Sequence, residues 1–329
     1  MITINDIAEQ AGVSRTTVSR VINNTGYVSE KARKRVMDVI GETGYVPSQH
    51  AKSLRTKKTK IIGVILPKIS TDTSSRTVNG MTEVFEAIGY QILLTSTNLD
   101  SEKELEHLKL LQNRQVDGII LIATNTSQAL LDEIKASKVP VVLVGQQMAG
   151  VPSVTFDDYA AARHMTTLMI EKGHKHIGYI GVDEADRSVG VLRKQGYLDV
   201  MTEHGLHIED AWIQQGDFSI DSGYDAMKRM MHESAGSLDG VFAATDRMAL
   251  GAWRYIKQQG LSIPGDIAIV GIGSSETSRF IDPAMTTIEY AHAQAGAAAA
   301  EIILQILEED KEISDKKVLD FTLVERDSL

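Results

Sequence analysis

The chain has 329 residues, is 43% apolar and 24% charged, and contains no cysteine, which excludes disulfides, thiolate metal sites and cysteine nucleophiles. A single core stops growing at about 250–300 residues, so two or three domains are expected. The net charge of −10 is unevenly spread: residues 1–60 hold 11 Lys+Arg against 5 Asp+Glu, and the remainder 23 against 39. A basic module on an acidic body points to nucleic acid touched by the small module alone, because the acidic body repels it.

Ile4, Ile7, Ala8 and Ala11 fall at helical spacing, with Thr3 and Asp6 placed as a capping box. Gly12 and Val13 break the run, and Ser14 restarts it as the N-cap of a second helix with Val18, Val21 and Ile22 inward. A third helix starts after Ser29, buries Ala32, Val36, Val39 and Ile40, and ends at Gly44. Two short helices joined by a glycine turn and backed by a third make a helix-turn-helix, in which the N-terminal part of the second helix lies in the major groove. Removing its apolar positions leaves Arg15, Thr16, Thr17, Ser19 and Arg20 outside. Arginine donates twice to guanine, worth ~1–3 kcal/mol of discrimination, and threonine reaches a phosphate or a thymine methyl.

The runs TINDIAEQAGVSRTTVSRVIN and YVSEKARKRVMDVIGETGYVPSQHAKSLR closely resemble the headpiece of the lactose/galactose repressor family, including the TVSRVIN core, the GYVPS step and the AKSLR segment. The resemblance implies a transcriptional repressor that grips operator DNA as a homodimer, a tetramer being left open. Its base and phosphate contacts are expected from Thr3, Ser14, Arg15, Thr16, Thr17, Ser19, Arg20 and Asn23. Residues 48–58 by themselves read as a charged linker, too short to hold a helix in water. The resemblance makes them a hinge helix that folds on DNA, with Ala51, Leu54 and Arg55 in contact and Leu54 inserted in the minor groove. A headpiece is thus expected over 1–47, a hinge over 48–59 and a sensor over 60–329.

Beyond Lys60 apolar strand-length runs alternate with helical patterns. IIGVIL (61–66), QILLT (91–95), GIILIA (118–123), PVVLVG (140–145), HIGYIG (176–181), DGVFAA (239–244) and IAIVGI (267–272) read as strands. Helices are expected at 78–89, 101–114, 127–136, 159–172, 190–204, 221–233, 247–259 and 293–308. The alternation predicts an α/β body of two lobes, each a parallel sheet covered on both faces, resembling the periplasmic-binding-protein sensors of that family. Crossings near 157, 289 and 315 divide it into lobe 1 (about 60–157 and 290–315) and lobe 2 (about 158–289 and 316–329). Ligands of such sheets lie beyond the strands' carboxyl ends. The residues there, Ser70–Ser75, Thr124, Asn125, Gln146, Asp157, Asp183–Arg187, Asp217, Phe218, Thr245, Asp246 and Gly273–Glu276, are rich in hydroxyls, amides and carboxylates. That rim suits a small hydroxyl-rich effector.

The resemblance sharpens this to Asp72, Thr73, Asn125, Asp157, Arg187, Phe218, Asp246 and Ser274 around a sugar or sugar phosphate. By its spacing from RKQGY, Arg187 matches the family's effector-holding arginine and Arg193 a structural position; Phe218 is placed to stack on the ligand. GIGSSE departs from the family, with Gly273 where many members carry an effector-binding aspartate. The loop PKISTDTSSRTVNGM is similar to regulators of sucrose and related sugar genes.

Other chemistry finds little support. G-I-G at 271–273 lacks the third glycine of a dinucleotide fingerprint, and there is no P-loop or nucleophile elbow. His174 and His176 lack the further ligands a metal would need. No enzyme activity, cofactor, metal or membrane partner is expected. A two-lobed transport receptor would need a signal peptide, which MITINDIAEQ does not resemble, and would not need residues 1–60. No apolar run approaches the ~18 residues of a membrane span. A cytoplasmic protein is expected, at the nucleoid when bound to DNA.

Overall fold

The structure, a computed structural model, describes residues 2–45, 58–234, 238–309 and 316–329. The chain divides into two compact units at Lys60. In the first, α1 (Ile4–Ala11), α2 (Arg15–Asn23) and α3 (Glu30–Thr43) each start at a side-chain cap, from Thr3, Ser14 and Ser29. Each ends at a left-handed residue, Gly12, Asn24 or Gly44, which stops the helix. Ile7, Ala8, Ala11, Val18, Val21 and Val36 close the core between them. Each fully buried branched side chain stabilises by about 1.5–3 kcal/mol.

The second unit runs β1 (Ile61–Leu66), α4 (Asp72–Glu86), β2 (Gln91–Ser96), α5 (Ser101–Asn113), β3 (Gly118–Ile122), α6 (Gln128–Ala136), β4 (Val141–Val144) and β5 (Ser153–Phe156). It continues with α7 (Asp158–Glu171), β6 (Ile177–Gly181), a π turn (Arg187–Leu192), α8 (Arg193–Glu203), β7 (Ile213–Gln215), α9 (Ile220–Glu233) and β8 (Gly240–Ala243). Last come α10 (Asp246–Gln258), β9 (Ala268–Ile272), β10 (Thr286–Tyr290), α11 (His292–Glu309), β11 (Lys316–Leu319) and β12 (Phe321–Val324). Two six-stranded sheets result, ordered β11-β5-β4-β3-β1-β2 and β12-β10-β9-β8-β6-β7. All neighbouring strands are parallel except β10 and β12. Apart from the edge strands β2, β7, β11 and β12, the strands are largely buried on both faces, which is why most of them read as unbroken apolar runs. The two-lobed α/β architecture is the one the alternation implies.

Three boundaries differ from the sequence expectation. The helix expected from residue 78 starts at Asp72, because Thr71 caps it and accepts from Ser74 N–H. The polar stretch taken for a loop is its first turn, and Ile88, within the expected helix 78–89, lies beyond its end and is exposed. The crossing placed near 315 falls at Asp320 instead: β11 pairs in parallel with β5 and belongs to the first lobe. Residues 187–192 form a π turn ahead of α8, where a regular helix was expected from 190.

Candidate functional site

On the first unit, the side chains of α2 divide by what they bond. Ser14 Oγ accepts Thr17 N–H at 3.2 Å and lies 3.0 Å from Thr17 Oγ1, so both hydroxyls serve the cap. Thr3 N–H donates to Asp6 Oδ2 at 2.7 Å, and this bond first of all holds the Asp6 carboxyl below its ordinary range. Asn23 donates through Nδ2 to Ser19 O at 2.7 Å. The side chains of Arg15, Thr16 and Arg20 are exposed and have no hydrogen-bonded partner among the described residues. Two guanidinium groups and a hydroxyl on one amphipathic helix are thus available to a ligand. Tyr27, which the sequence reading passed over, is 89% exposed. It follows Gly26, where an added Cβ would meet the Arg20 side chain at 3.5 Å, so the chain carrying Tyr27 passes close to the exposed arginine of α2. An aromatic flanking an exposed arginine is the signal that could have found it. Ala51, Leu54 and Arg55 lie outside the described residues.

The second unit holds a cavity of about 260 Å³ between its two sheets, at the strands' carboxyl ends. Among its lining residues, Arg193 stands at the start of α8. The guanidinium is buried, bonds Asp158 Oδ1 at 2.7 Å through Nε and Nη2, and donates through Nη1 to Ala244 O. Tyr290 OH donates to the same Asp158 oxygen at 3.0 Å, and its ring stacks on Phe156 with centroids 4.4 Å apart. His292 packs edge-on against Phe156, and its Nε2 is sealed from solvent with no partner among the described residues. Asp246, at the start of α10, accepts from Thr287 Oγ1 at 2.6 Å and from Ser275 N–H at 2.7 Å; burial raises its pKa against those bonds. Asp186 accepts from Gln146 Nε2 at 2.7 Å and Val189 N–H at 2.9 Å, yet burial pushes it up to about 6. Lys68 and Arg247 reach the cavity from opposite sheets, and Thr73, Ser74, Thr77, Thr124, Ser188 and Thr245 add hydroxyls.

Of the expected effector residues, Asp72, Thr73, Phe218 and Asp246 line the cavity. Four do not. Asn125 sits behind the wall, donating through Nδ2 to Glu104 Oε2 at 2.6 Å. Asp157 is exposed and caps α7, accepting from Ala160 N–H, while its neighbour Asp158 faces in. Arg187 is exposed on the outside of the π turn, and Ser188, Val189 and Arg193 point inward in its place. Gly190 lets that turn press onto Asp183 O, where a Cβ would come within 2.1 Å. Ser274 gives its carbonyl to Arg76 and is replaced in the lining by Gly273 and Ser275. Asp158, Tyr290 and His292 went unnoticed because they stand at chain crossings, where neither strand nor helix periodicity marks the inward side. Elsewhere, His174 and His176 both face the Asp239 carboxylate, at 3.6 and 3.3 Å. No helix among the described residues is long and apolar enough to cross a membrane.

Residues 3–48 match the family profile of bacterial regulatory proteins, lacI family, and residues 59–325 that of periplasmic binding proteins and the sugar-binding domain of the LacI family. Catabolite control protein A of Priestia megaterium is 32% identical over 320 residues, 97% of this chain and 96% of its own. The HTH-type transcriptional repressor PurR of Actinobacillus pleuropneumoniae is 32% identical over 327 residues, 98% of this chain and 96% of its own. Among solved structures, the lac repressor dimer bound to operator and the anti-inducer ONPF matches with a TM-score of 0.89 at 26% identity, covering 99% of this chain and 98% of that one. The complex of the transcriptional regulator CelR with cellobiose matches with a TM-score of 0.75 at 28% identity, over the whole of both chains.

Proposed function

The chain belongs to the lacI family of bacterial regulatory proteins and is a DNA-binding transcriptional regulator, and on that premise we propose that it represses carbohydrate-utilisation genes as a homodimer under the control of a small polar effector. The observation that carries the effector reading is the cavity at the strands' carboxyl ends, ringed by hydroxyls and buried carboxylates around Arg193. Hydroxyl donors and acceptors in that number suit a polyhydroxylated ligand, and the Phe156–Tyr290 pair offers an apolar wall for a sugar's C–H face. Arg15, Thr16 and Arg20 read bases, and Tyr27 packs beside them on the DNA backbone. Leu54 and its neighbours enter the minor groove. A second copy covers the edge strand β2, which exposes Leu93 and Leu94. The working compartment is the cytoplasm.

Selection from random DNA should return a near-palindrome with two half-sites a whole number of helical turns apart, bound with steep salt dependence. Calorimetry against a panel of sugars and sugar phosphates, with and without that operator, should then find a ligand whose binding shifts operator affinity. No enriched sequence, or weak and salt-insensitive binding, overturns the DNA reading. An enriched operator with no response across the panel overturns the carbohydrate reading alone.

A further inference from the structure

Residues 273–276 leave the end of β9, in the second lobe, and their polar backbone groups are used in an unusual way. Gly273 N–H donates to Ile288 O at 2.8 Å and Ser274 N–H to Thr287 Oγ1 at 3.2 Å. Ser275 N–H donates to Asp246 Oδ2 at 2.7 Å. The next donor turns outward across the cavity: Glu276 N–H reaches Asp72 Oδ2 at 2.8 Å, in the first lobe. The carbonyls of Gly273 and Ser274 both accept from Arg76 Nη2, at 3.2 and 2.7 Å. Arg76 Nη1 lies 3.7 Å from Glu289 Oε1, on β10. Asp72 and Arg76 are four apart on the first turns of α4 and so share a face. One turn of a first-lobe helix therefore holds a second-lobe loop with both an acceptor and a donor, in charge-assisted bonds.

The loop's shape is part of the arrangement. Gly273 has φ +139 and Ser274 φ +45, and these two successive positive values go with two successive carbonyls meeting on one guanidinium nitrogen. The region around φ +139 is open to glycine and strained for other residues. Space is not the reason for glycine there, since the nearest atom to an added Cβ is Asp246 Cγ at 3.8 Å. The cavity's other border is also bridged, by Gln146 to Asp186 and by Ser188 Oγ donating to Gly145 O at 2.6 Å.

We propose that Asp72 and Arg76 form a latch on the 273–276 loop that biases the two lobes toward the closed arrangement. Effector entry then requires the latch to release, and binding is coupled to the lobe equilibrium that the latch biases. The proposal rests on the effector reading only for what finally occupies the cavity. The latch itself is tested with no ligand present.

The chain has no cysteine, so two dyes can be attached without background at Glu106→Cys on α5 and Lys228→Cys on α9, both exposed and one in each lobe. Labelled full-length chain, diluted in unlabelled chain so that each assembly carries one labelled copy, is read by single-molecule energy transfer. The unliganded parent should show one high-transfer population. Arg76→Ala should shift much of it to lower transfer. Gly273→Ala, which leaves Arg76 in place and disturbs only the loop backbone, should do the same. Arg76→Lys, with one ammonium in place of the fork, should fall between. Histograms of Arg76→Ala and Gly273→Ala that superimpose on the parent's, with cooperative melting retained, overturn the latch. A parent already dominated by low transfer overturns it equally, and neither result touches the DNA or effector reading.

Discussion

Asp186 and His292 line the same cavity, and their ionisations act on stability in opposite directions. Burial pushes the Asp186 carboxyl from its ordinary 3.8 up to about 6, against the favourable bonds from Val189 and Gln146. Burial, and then the charges of Arg76 and Arg193, hold the His292 ring down from 6.5 to about 3. Between about pH 4 and 6 the folded chain binds more protons at Asp186 than the unfolded chain does, so this group makes stability fall as pH rises. In the same window the folded chain binds fewer protons at His292, so this group makes stability rise with pH. Each slope approaches about 1.4 kcal/mol per pH unit, so over two units each contributes roughly 2 kcal/mol and the pair nearly cancels. Single variants should unmask the terms. Asp186→Asn keeps an acceptor for Val189 and removes the falling term, so stability relative to the parent should rise by roughly 2 kcal/mol from pH 4 to 6. His292→Phe keeps a ring against Phe156 and removes the rising term, so relative stability should fall by a similar amount. Urea titrations of the full chain at pH 4, 5 and 6 measure this, taken as variant minus parent so that shared carboxylates drop out. Flat difference curves for both variants would refute the reasoning.

Arg193→Ala leaves Asp158 buried without its cation and should destabilise the sensor by about 3–5 kcal/mol. Asp158→Asn combined with it should recover part of that loss in chemical denaturation, and a single variant indistinguishable from the parent would contradict the pairing. Leu54→Ala should weaken operator binding and reduce DNA bending while leaving the melting temperature near the parent's, as a minor-groove wedge requires. A core leucine would instead lose about 2–5 kcal/mol on truncation, so a large stability loss with unaltered bending argues against insertion.

Where the polypeptide repeats a simple rule, the sequence was sufficient. Thr3, Ser14 and Ser29 cap three short helices because each precedes an apolar periodic run, and the buried strands show as apolar blocks because both faces are covered. Short strands in mixed company were hidden. β11 (KKVL) and β12 (FTLV) are four residues each with lysine, threonine and the intervening Asp320 breaking their apolar run, and they pair with opposite sheets across that one residue. The first turn of α4 was hidden for a different reason. Of its residues, DTSSR, Asp72, Thr73 and Ser74 line the cavity and Arg76 reaches the other lobe, so no apolar period begins until Val78 and Met81 turn to the core.

Arg187, expected at the cavity from the resemblance, faces solvent, and the π turn is the physical cause. The π turn holds one more residue per hydrogen-bonded loop than an α turn, so it rotates everything ahead of α8 relative to everything after it. Gly190 permits the rotation by pressing against the Asp183 carbonyl, and Asp186 fixes its start by accepting Val189 N–H. The consequence is that Asp186, Ser188 and Arg193 all face the cavity while Arg187 faces solvent. Two of those three then bridge the lobes, Asp186 to Gln146 and Ser188 to Gly145. The third holds Asp158 at the crossing from β5 to α7. An inserted residue in one helical turn thus sets which charges line the cavity, and it ties those same residues to the contacts that bridge the two lobes.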